Sequence, residues 1–481
     1  MKKTVQRKSG AELEIEGVGY DNIPISVLLV FAAYIGTWFL QLGSRIAVLG
    51  AIRLEFVLAV SLLLLAMVTP RQRPAVRCDL YKYVAWFFLA LLIEIPFSYN
   101  VDYSWTVFVD RVVKFACMAF FITVFVRSPK ALRFFIVAFM LAWFKMGQEG
   151  LLGQITGSLV WENQGVMRLH GVTGNYQHPN SFSGFGLGML PFIYYLFPVA
   201  NKWGKAFLLV MLVFSVTIVL YTGSRTGYVG FLLFALFVFW KSKYKLKFLL
   251  AGVILGAVAM PFIPQQYIER FESITGQEAE GHSKMRRMEI LQDAIIIFAE
   301  HPFGVGVSAF PTVRQERFGR LQDTHNLYLE VATNLGIQGF IIWTLLIVAI
   351  FRNIRRLAVD LEGQLAALSK KILPEIGAKS GSGPESLIVR QIADVKLMRA
   401  MLYAVSAYVV VRLVIGLFGM DLYEIYWWFA MGIVIAIHNM AQVSGRITRY
   451  HLQHYSHSAQ GLPPVRAATT SSGPALGRPA R

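Results

Sequence analysis

Apolar runs recur along this chain, separated by short polar segments, and most come close to the length a helix needs to cross a bilayer, about 17 to 25 residues. They cover residues 25–40, 46–68, 83–97, 112–126, 131–144, 182–200, 207–221, 226–240, 248–263, 327–351, 402–418 and 423–441. The pattern predicts an all-α, polytopic membrane protein with about twelve transmembrane helices. Orientation follows from where the basic residues fall, because cytoplasmic loops collect Lys and Arg. Every second connection is basic: Arg71, Arg73 and Arg77; Arg127, Lys130 and Arg133; Lys202 and Lys205; Lys241, Lys243, Lys245 and Lys247; then 352–399 and the tail from Arg446. Both termini are therefore expected in the cytoplasm of a cell bounded by an inner membrane. Residues 1–21 are polar and the first apolar run lacks a small-residue cleavage site, so that run reads as the first span.

The domain reading follows. Residues 1–24 are an N-terminal cytoplasmic tail, and 25–264 hold spans one to nine with an outer loop at 147–180. A large outer loop, 265–326, precedes spans ten to twelve at 327–441, which enclose a cytoplasmic linker at 352–400. Residues 442–481 form a cytoplasmic tail. Within the large loop, 288–299 has apolar residues at helical spacing and ends at His301-Pro302, which predicts an amphipathic helix lying at the membrane surface. The linker is read as mobile over 361–389, where Gly-Ser-Gly-Pro occurs and no strong period is seen. The Ala-, Pro-, Ser- and Gly-rich stretch from Ser456 is read as disordered.

Composition agrees with a membrane protein: 56% of the 481 residues are hydrophobic and 15% charged, against about 25% charged in ordinary soluble domains. The net charge of +18 does not mark a nucleic-acid binder, because the cations sit in short clusters between apolar runs. The two cysteines, Cys78 and Cys117, are placed on or near the cytoplasmic side and are expected reduced.

Charge near hydrocarbon is costly, about 2.5–3.5 kcal/mol per residue on insertion scales, so each case needs a reason. Arg53 and Glu55 read as side chains reaching the interface. Glu94 and Arg412 stay open between an interhelical pair and a role at a site. Arg225 differs. It sits in Thr222-Gly-Ser-Arg-Thr-Gly227, a glycine-flanked turn between two spans, where backbone N–H groups and a guanidinium converge as they do in anion sites. Arg286 and Arg287 are expected to open the amphipathic helix, where the helix dipole adds to their charge, with Arg314, Arg317 and Arg320 beyond. The loop ends in Asp323-Thr-His325-Asn-Leu-Tyr-Leu-Glu330, which sets a histidine of ordinary pKa near 6.5 at the outer start of the tenth span, a position suited to a general base.

Three segments in this order resemble the O-antigen ligase and polymerase superfamily of bacterial membrane glycosyltransferases. They are Arg168-Leu-His-Gly-Val-Thr-Gly-Asn-Tyr-Gln-His178-Pro-Asn180, the Gly-Ser-Arg225-Thr-Gly turn, and the stretch from Arg287 through Ala-Glu-His-Pro-Phe-Gly-Val-Gly306 and His325 to Gly339. Leu291 stands where the family often shows Trp. The resemblance implies transfer of a glycan from undecaprenyl diphosphate to a glycan, lipid or protein acceptor outside the membrane, with no nucleotide sugar, cofactor or metal. It implies that Arg225 and Arg287 hold the diphosphate and that His325 acts at the acceptor. Arg168, His178, Asn180, Arg286 and Arg412 are further candidates for substrate contact. Membrane lipids are the other expected partners, and nucleic acid is not one.

Ligase is the leading reading within the superfamily. Polymerase is the alternative, with Arg270…Gly281 as the one match to its Arg-x10-Gly spacing. A transporter would suit twelve helices, but the chain has no repeat halves and its cations gather on one face rather than at the midplane. A scaffold would explain the spans and not the arginines.

Overall fold

The computed structural model describes residues 19–70, 74–163, 165–242, 244–272, 282–371 and 384–459. Helix α1 (Ile25–Leu40) leads through two short helices, α2 (Leu42–Arg45) and α3 (Ala47–Ala51), into α4 (Leu54–Val68). Next come α5 (Leu80–Ile93) and α6 (Val101–Val107), and a π-helical turn over Phe108–Val113 carries α6 into α7 (Lys114–Phe125). The middle of the chain forms α8 (Pro129–Thr156), α9 (Pro179–Leu196), α10 (Lys202–Tyr221), α11 (Arg225–Lys241) and α12 (Lys245–Ala259). Three shorter helices, α13 (Gln265–Glu272), α14 (His282–Glu300) and α15 (Phe310–Phe318), lead to the long α16 (Leu327–Lys371), α17 (Pro384–Ile415) and α18 (Ile425–Ala459).

Five described helical segments are long and apolar enough to cross a membrane: Pro129–Thr156, Pro179–Val199, Lys202–Tyr221, Leu327–Ser369 and Leu387–Ile415. Shorter apolar helices cover Ile25–Leu40, Leu54–Val68 and Leu80–Ile93. The centre of the bundle is aromatic. Phe139 lies 4.5 Å from Trp143 and 4.7 Å from Phe429, ring centroid to centroid, and Phe192, Tyr408 and Phe135 close the same cluster. The phenyl rings among them fill space densely and need no polar partner, which suits a core between helices α8, α9, α17 and α18.

Several boundaries differ from the sequence reading. The run 46–68 is not one helix: it breaks at Arg53, whose φ of 50° is left-handed, and α4 begins only at Leu54. The run 131–144 is part of a helix that continues to Thr156, beyond the expected edge of the outer loop. That loop also holds a small antiparallel hairpin, β1 (Val160–Asn163) paired with β2 (Val166–Leu169), an exception to the all-α expectation. Its strands are four residues each, too short for alternation to announce them.

The linker at 352–400 is largely helical. Leu357, Leu361, Leu365 and Leu368 on α16 are buried, as are Ile388, Ile392, Val395 and Met398 on α17. Both series have the three- and four-residue steps of one helix face, so the two spans continue as a helical pair where a mobile segment was expected. Residues 372–383 lie outside the described residues. The tail behaves likewise. Helix α18 runs to Ala459, past the expected boundary at 442 and past Ser456, because Ile447, Thr448 and His451 are buried and Ser444 hydrogen-bonds Gln391 and Gln364.

Helix α16 is broken at Gly336, where φ is 63° and ψ is −169°. The segment 302–306 is inserted at the break as a strand-like partner. Val305 N–H donates to Thr333 O at 2.9 Å, Gly306 N–H to Asn334 O at 3.0 Å, and Ile337 N–H to Pro302 O at 2.9 Å. The same loop is held from the other side by Tyr99 N–H, which donates to Val305 O. Gly306 is needed because a Cβ there would lie 2.2 Å from the Ser98 hydroxyl oxygen. Two motifs far apart in sequence, His301-Pro-Phe-Gly-Val-Gly306 and Asn334-Leu-Gly-Ile-Gln-Gly339, are thus one structural device. It fixes the large loop to the body of the protein.

Candidate functional site

One end of the bundle gathers the start of α9, the turn between α10 and α11, helix α14, the start of α16 and the connector 416–424. At the α10–α11 turn, Gly223 takes φ 57° and Ser224 caps α11, its hydroxyl accepting from Gly227 N–H at 3.2 Å. Arg225 is the first residue of this helix and is half-buried. The helix has 17 residues, so the positive end of its dipole falls at the turn that carries Arg225. Close approach of α9 is built in: a Cβ at Gly227 would lie 2.0 Å from Ser183 Oγ.

Arg168 braces this turn. It is 1% exposed, donates from Nε to Thr222 O at 2.7 Å, and donates from a terminal nitrogen to Asn180 Oδ1 at 2.7 Å. A single guanidinium therefore ties β2, the α11 turn and the start of α9 together. His178 caps α9, with Nδ1 accepting from Asn180 N–H at 3.2 Å. Its pKa is lowered by desolvation first, then by the charges of Arg168 and His325. These three expected residues do converge, and Arg168 does so as a buried anchor.

His325 precedes α16 with a left-handed φ of 48°, costly for a residue with a side chain. Its neighbours hold it there. Asn326 Oδ1 accepts from Tyr328 N–H at 2.9 Å and Leu329 N–H at 3.1 Å, its amide donates to Leu417 O at 3.1 Å, and Leu327 N–H donates to Gly416 O at 2.7 Å. The Thr-His-Asn sequence is thus an asparagine cap with the half-buried histidine beside it. Burial lowers the His325 pKa; Asp323 opposes that, and Arg287 and Arg314 add to it. The imidazole is therefore neutral at pH 7 and able to accept a proton. Asp323 itself is pushed up by burial, against Thr324 N–H, His325 and Arg111.

Arg287 lies with its guanidinium carbon 5.9 Å from the Phe418 ring, within the electrostatic reach of His325. It does not open its helix. Helix α14 begins by His282, so Arg286 and Arg287 are exposed side chains more than a turn inside, and their charge acts without the terminal N–H groups. Arg314, Arg317 and Arg320, the further cations of the loop, are all paired with carboxylates. Arg314 is 1% exposed and bonds Asp293 at 2.9 Å; Arg317 pairs with Glu300 at 3.1 Å, and Arg320 with Asp293 at 3.4 Å and Glu289 at 3.6 Å. These three cations hold α15 and the segment after it to α14. Glu289 and Asp293, four apart on one helix face, were the signal for that.

Of the two readings left open for Glu94 and Arg412, the interhelical pair does not form: each has other partners. Glu94 accepts from Gln338 at 2.8 Å beside the helix break. Arg412 is 3% exposed behind the site, 3.4 Å above the Tyr426 ring, with Gly184 O at 3.0 Å and Asp421 at 3.7 Å. Its charge holds α9 and the connector together. The connector is the element that sequence reasoning missed. It contributes Phe418 beneath Arg287, Tyr423, whose hydroxyl accepts from Ser308 N–H at 2.9 Å, and Glu424, which pairs with Arg111 at 2.8 Å. Burial pushes Glu424 up to about 7 despite Arg111. Gly281, which closes the Arg270…Gly281 spacing, lies outside the described residues.

Residues 210–344 match the family model described as O-antigen ligase, and no curated protein matches the chain. The matched segment runs from within α10 to within α16. It includes Arg225, Arg287 and His325, and leaves out Arg168, His178, Asn180 and Arg412.

Proposed function

We propose, from the O-antigen ligase-type segment at residues 210–344, that this chain is a membrane glycosyltransferase that moves a glycan from undecaprenyl diphosphate to an acceptor hydroxyl. The observation that carries the reading is the arrangement at one end of the bundle. A histidine whose pKa burial lowers stands at the start of α16, within the electrostatic reach of Arg287 and His178, while Arg168 links the His178 segment to the turn that carries Arg225. Cations and a base of this kind suit a reaction in which an anion departs while a hydroxyl attacks.

In the proposed step the acceptor oxygen attacks the anomeric carbon and the bond from that carbon to the diphosphate oxygen breaks. The bonding pair leaves with the diphosphate. Arg225, Arg287 and the N–H groups at the start of α11 stabilise the charge that develops there, a preorganised effect that counts most where water is scarce. The acceptor proton passes to His325. Attack from the face opposite the leaving group inverts the anomeric centre. The membrane reading that accompanies this has about twelve crossings, both termini in the cytoplasm, and the site on the outer face of the cytoplasmic membrane. Arg168 and Asn180 position the turn in this scheme. Arg286 stays a candidate for contact with the donor, since it is exposed one residue before Arg287.

The test uses purified protein in lipid nanodiscs with a prenyl-diphosphate-linked glycan and a lipid acceptor. Wild type transfers the glycan, and Arg225→Ala and His325→Ala each lose about 100-fold or more of kcat. Full turnover in both variants would refute the mechanism. Glycan joined to the lipid acceptor identifies a ligase, whereas a longer lipid-linked glycan identifies the polymerase of the same superfamily.

A further inference from the structure

The β1–β2 hairpin presents an aromatic ring that the scheme above leaves unused. Trp161 is 44% exposed although it is the largest apolar side chain of the outer segment 157–180. It pairs in register with Arg168, so the two side chains leave the same face of the hairpin, and directly opposed Cβ atoms stand about 4.5–5.5 Å apart. Arg168 is buried against Thr222 and Asn180, and a Cβ at Gly223 would sit 3.6 Å from Arg168 Cγ. The exposed indole therefore belongs to the strand pair whose other member, Arg168, braces the turn that carries Arg225. The hairpin is also firmly held: Tyr267 Oη donates to Met167 O at 2.8 Å, and Met167 N–H donates to Gln266 Oε1 at 3.3 Å.

Beside the indole stands His170, its ring centroid 4.9 Å away and its plane tilted by 42°. His170 Nδ1 lies 3.0 Å from Gly171 O. A carbonyl only accepts, so Nδ1 donates to it, which leaves Nε2 of the neutral tautomer as the acceptor. A flat apolar face with an adjoining acceptor matches a pyranose ring, whose C–H face is drawn to the negative face of an indole and whose hydroxyls donate at its edge.

We propose that the hairpin is a saccharide subsite. Trp161 stacks on the pyranose next to the diphosphate, and His170 Nε2 accepts one of its hydroxyl protons. The inference rests on the transferase reading, since the diphosphate end of the same donor would lie at Arg225. It makes Trp161 and His170 determinants of donor recognition rather than of the chemical step.

The experiment compares wild type, Trp161→Phe and Trp161→Ala in nanodiscs. In Trp161→Ala the donor KM rises about fivefold to tenfold with kcat within about twofold, while Trp161→Phe stays close to wild type. The inhibition constant of sugar-free prenyl diphosphate is the same in all three. An unchanged donor KM in Trp161→Ala overturns the subsite. So does an equal rise in the sugar-free inhibition constant, which would mean that the hairpin only props Arg168 or anchors the protein at the membrane interface. Should Trp161→Ala not fold, Trp161→Leu keeps apolar bulk without the π face and gives the same readout. If wild type shows no transfer, the transferase reading fails on its own. Saturation-transfer NMR with the free oligosaccharide then decides the subsite: signal lost in Trp161→Ala supports it, and signal retained overturns it.

Discussion

Replacing Gly336 by alanine should open the large loop without touching any residue of the site. At φ 63° and ψ −169° the backbone lies where side chains are essentially excluded, at a cost of about 1–3 kcal/mol. The new Cβ would stand 2.2 Å from the Phe303 carbonyl carbon and 2.6 Å from Gly304 N. Both are backbone atoms, so no rotamer change relieves the clash and the loop must lift. The hydrogen bonds from Val305, Gly306 and Ile337 across the break are then lost, at about 1 kcal/mol each. The sum is roughly 4–6 kcal/mol of local stability, large against a whole-domain stability of about 5–15 kcal/mol. Hydrogen–deuterium exchange in nanodiscs reads this directly. Amides in 301–309 and 330–338 should exchange at least about 100-fold faster in Gly336→Ala. Gly319→Ala serves as the control, because Gly319 shares a positive φ of 70° but has nothing within 4 Å of an added Cβ. Exchange in 301–309 should be unchanged there. Protection in Gly336→Ala equal to wild type would refute the account of the helix break.

Two further outcomes follow from the titrating groups. His325 is held below the ordinary imidazole value, so turnover should be flat above pH 7 and fall only on the acid side below 6.5; Asp323→Asn, which removes the charge that raises that pKa, should move the acid limb to lower pH, and a move to higher pH would contradict the assignment. Glu424, pushed up to about 7 by burial, keeps in the folded state a proton that the unfolded chain releases above 4.5. Its contribution to stability therefore falls as pH rises from 4.5 to 7. The Tm of Glu424→Gln relative to wild type should rise across that window, and a constant difference would refute the shift.

Much of this was legible in the sequence, and the exceptions have physical causes. The apolar runs, the Ser-Arg turn and the Thr-His-Asn start of α16 are local signals, since each depends on residues within a turn of one another. The helix break was not legible in the same way. Gly304, Gly306 and Gly336 each read as loop or helix punctuation, and only their pairing across thirty residues gives them meaning. The partners of Arg314 and Arg412 were not legible for a related reason. A cation's role depends on which carboxylate or ring reaches it, and Asp293 and Tyr426 come to them through the fold. The helical pair at 352–400 was masked by its charged residues, although Leu357, Leu361, Leu365 and Leu368 carry the period.

If Arg225 and Arg287 bind the diphosphate while His325 serves the acceptor, binding of prenyl diphosphate to protein in nanodiscs separates the two roles. Arg225→Ala and Arg287→Ala should each weaken binding about tenfold or more, the scale of a lost charge-assisted contact. His325→Ala should bind as wild type does while failing to transfer glycan. Wild-type binding by both arginine variants, or loss of binding in His325→Ala alone, would contradict that division of roles.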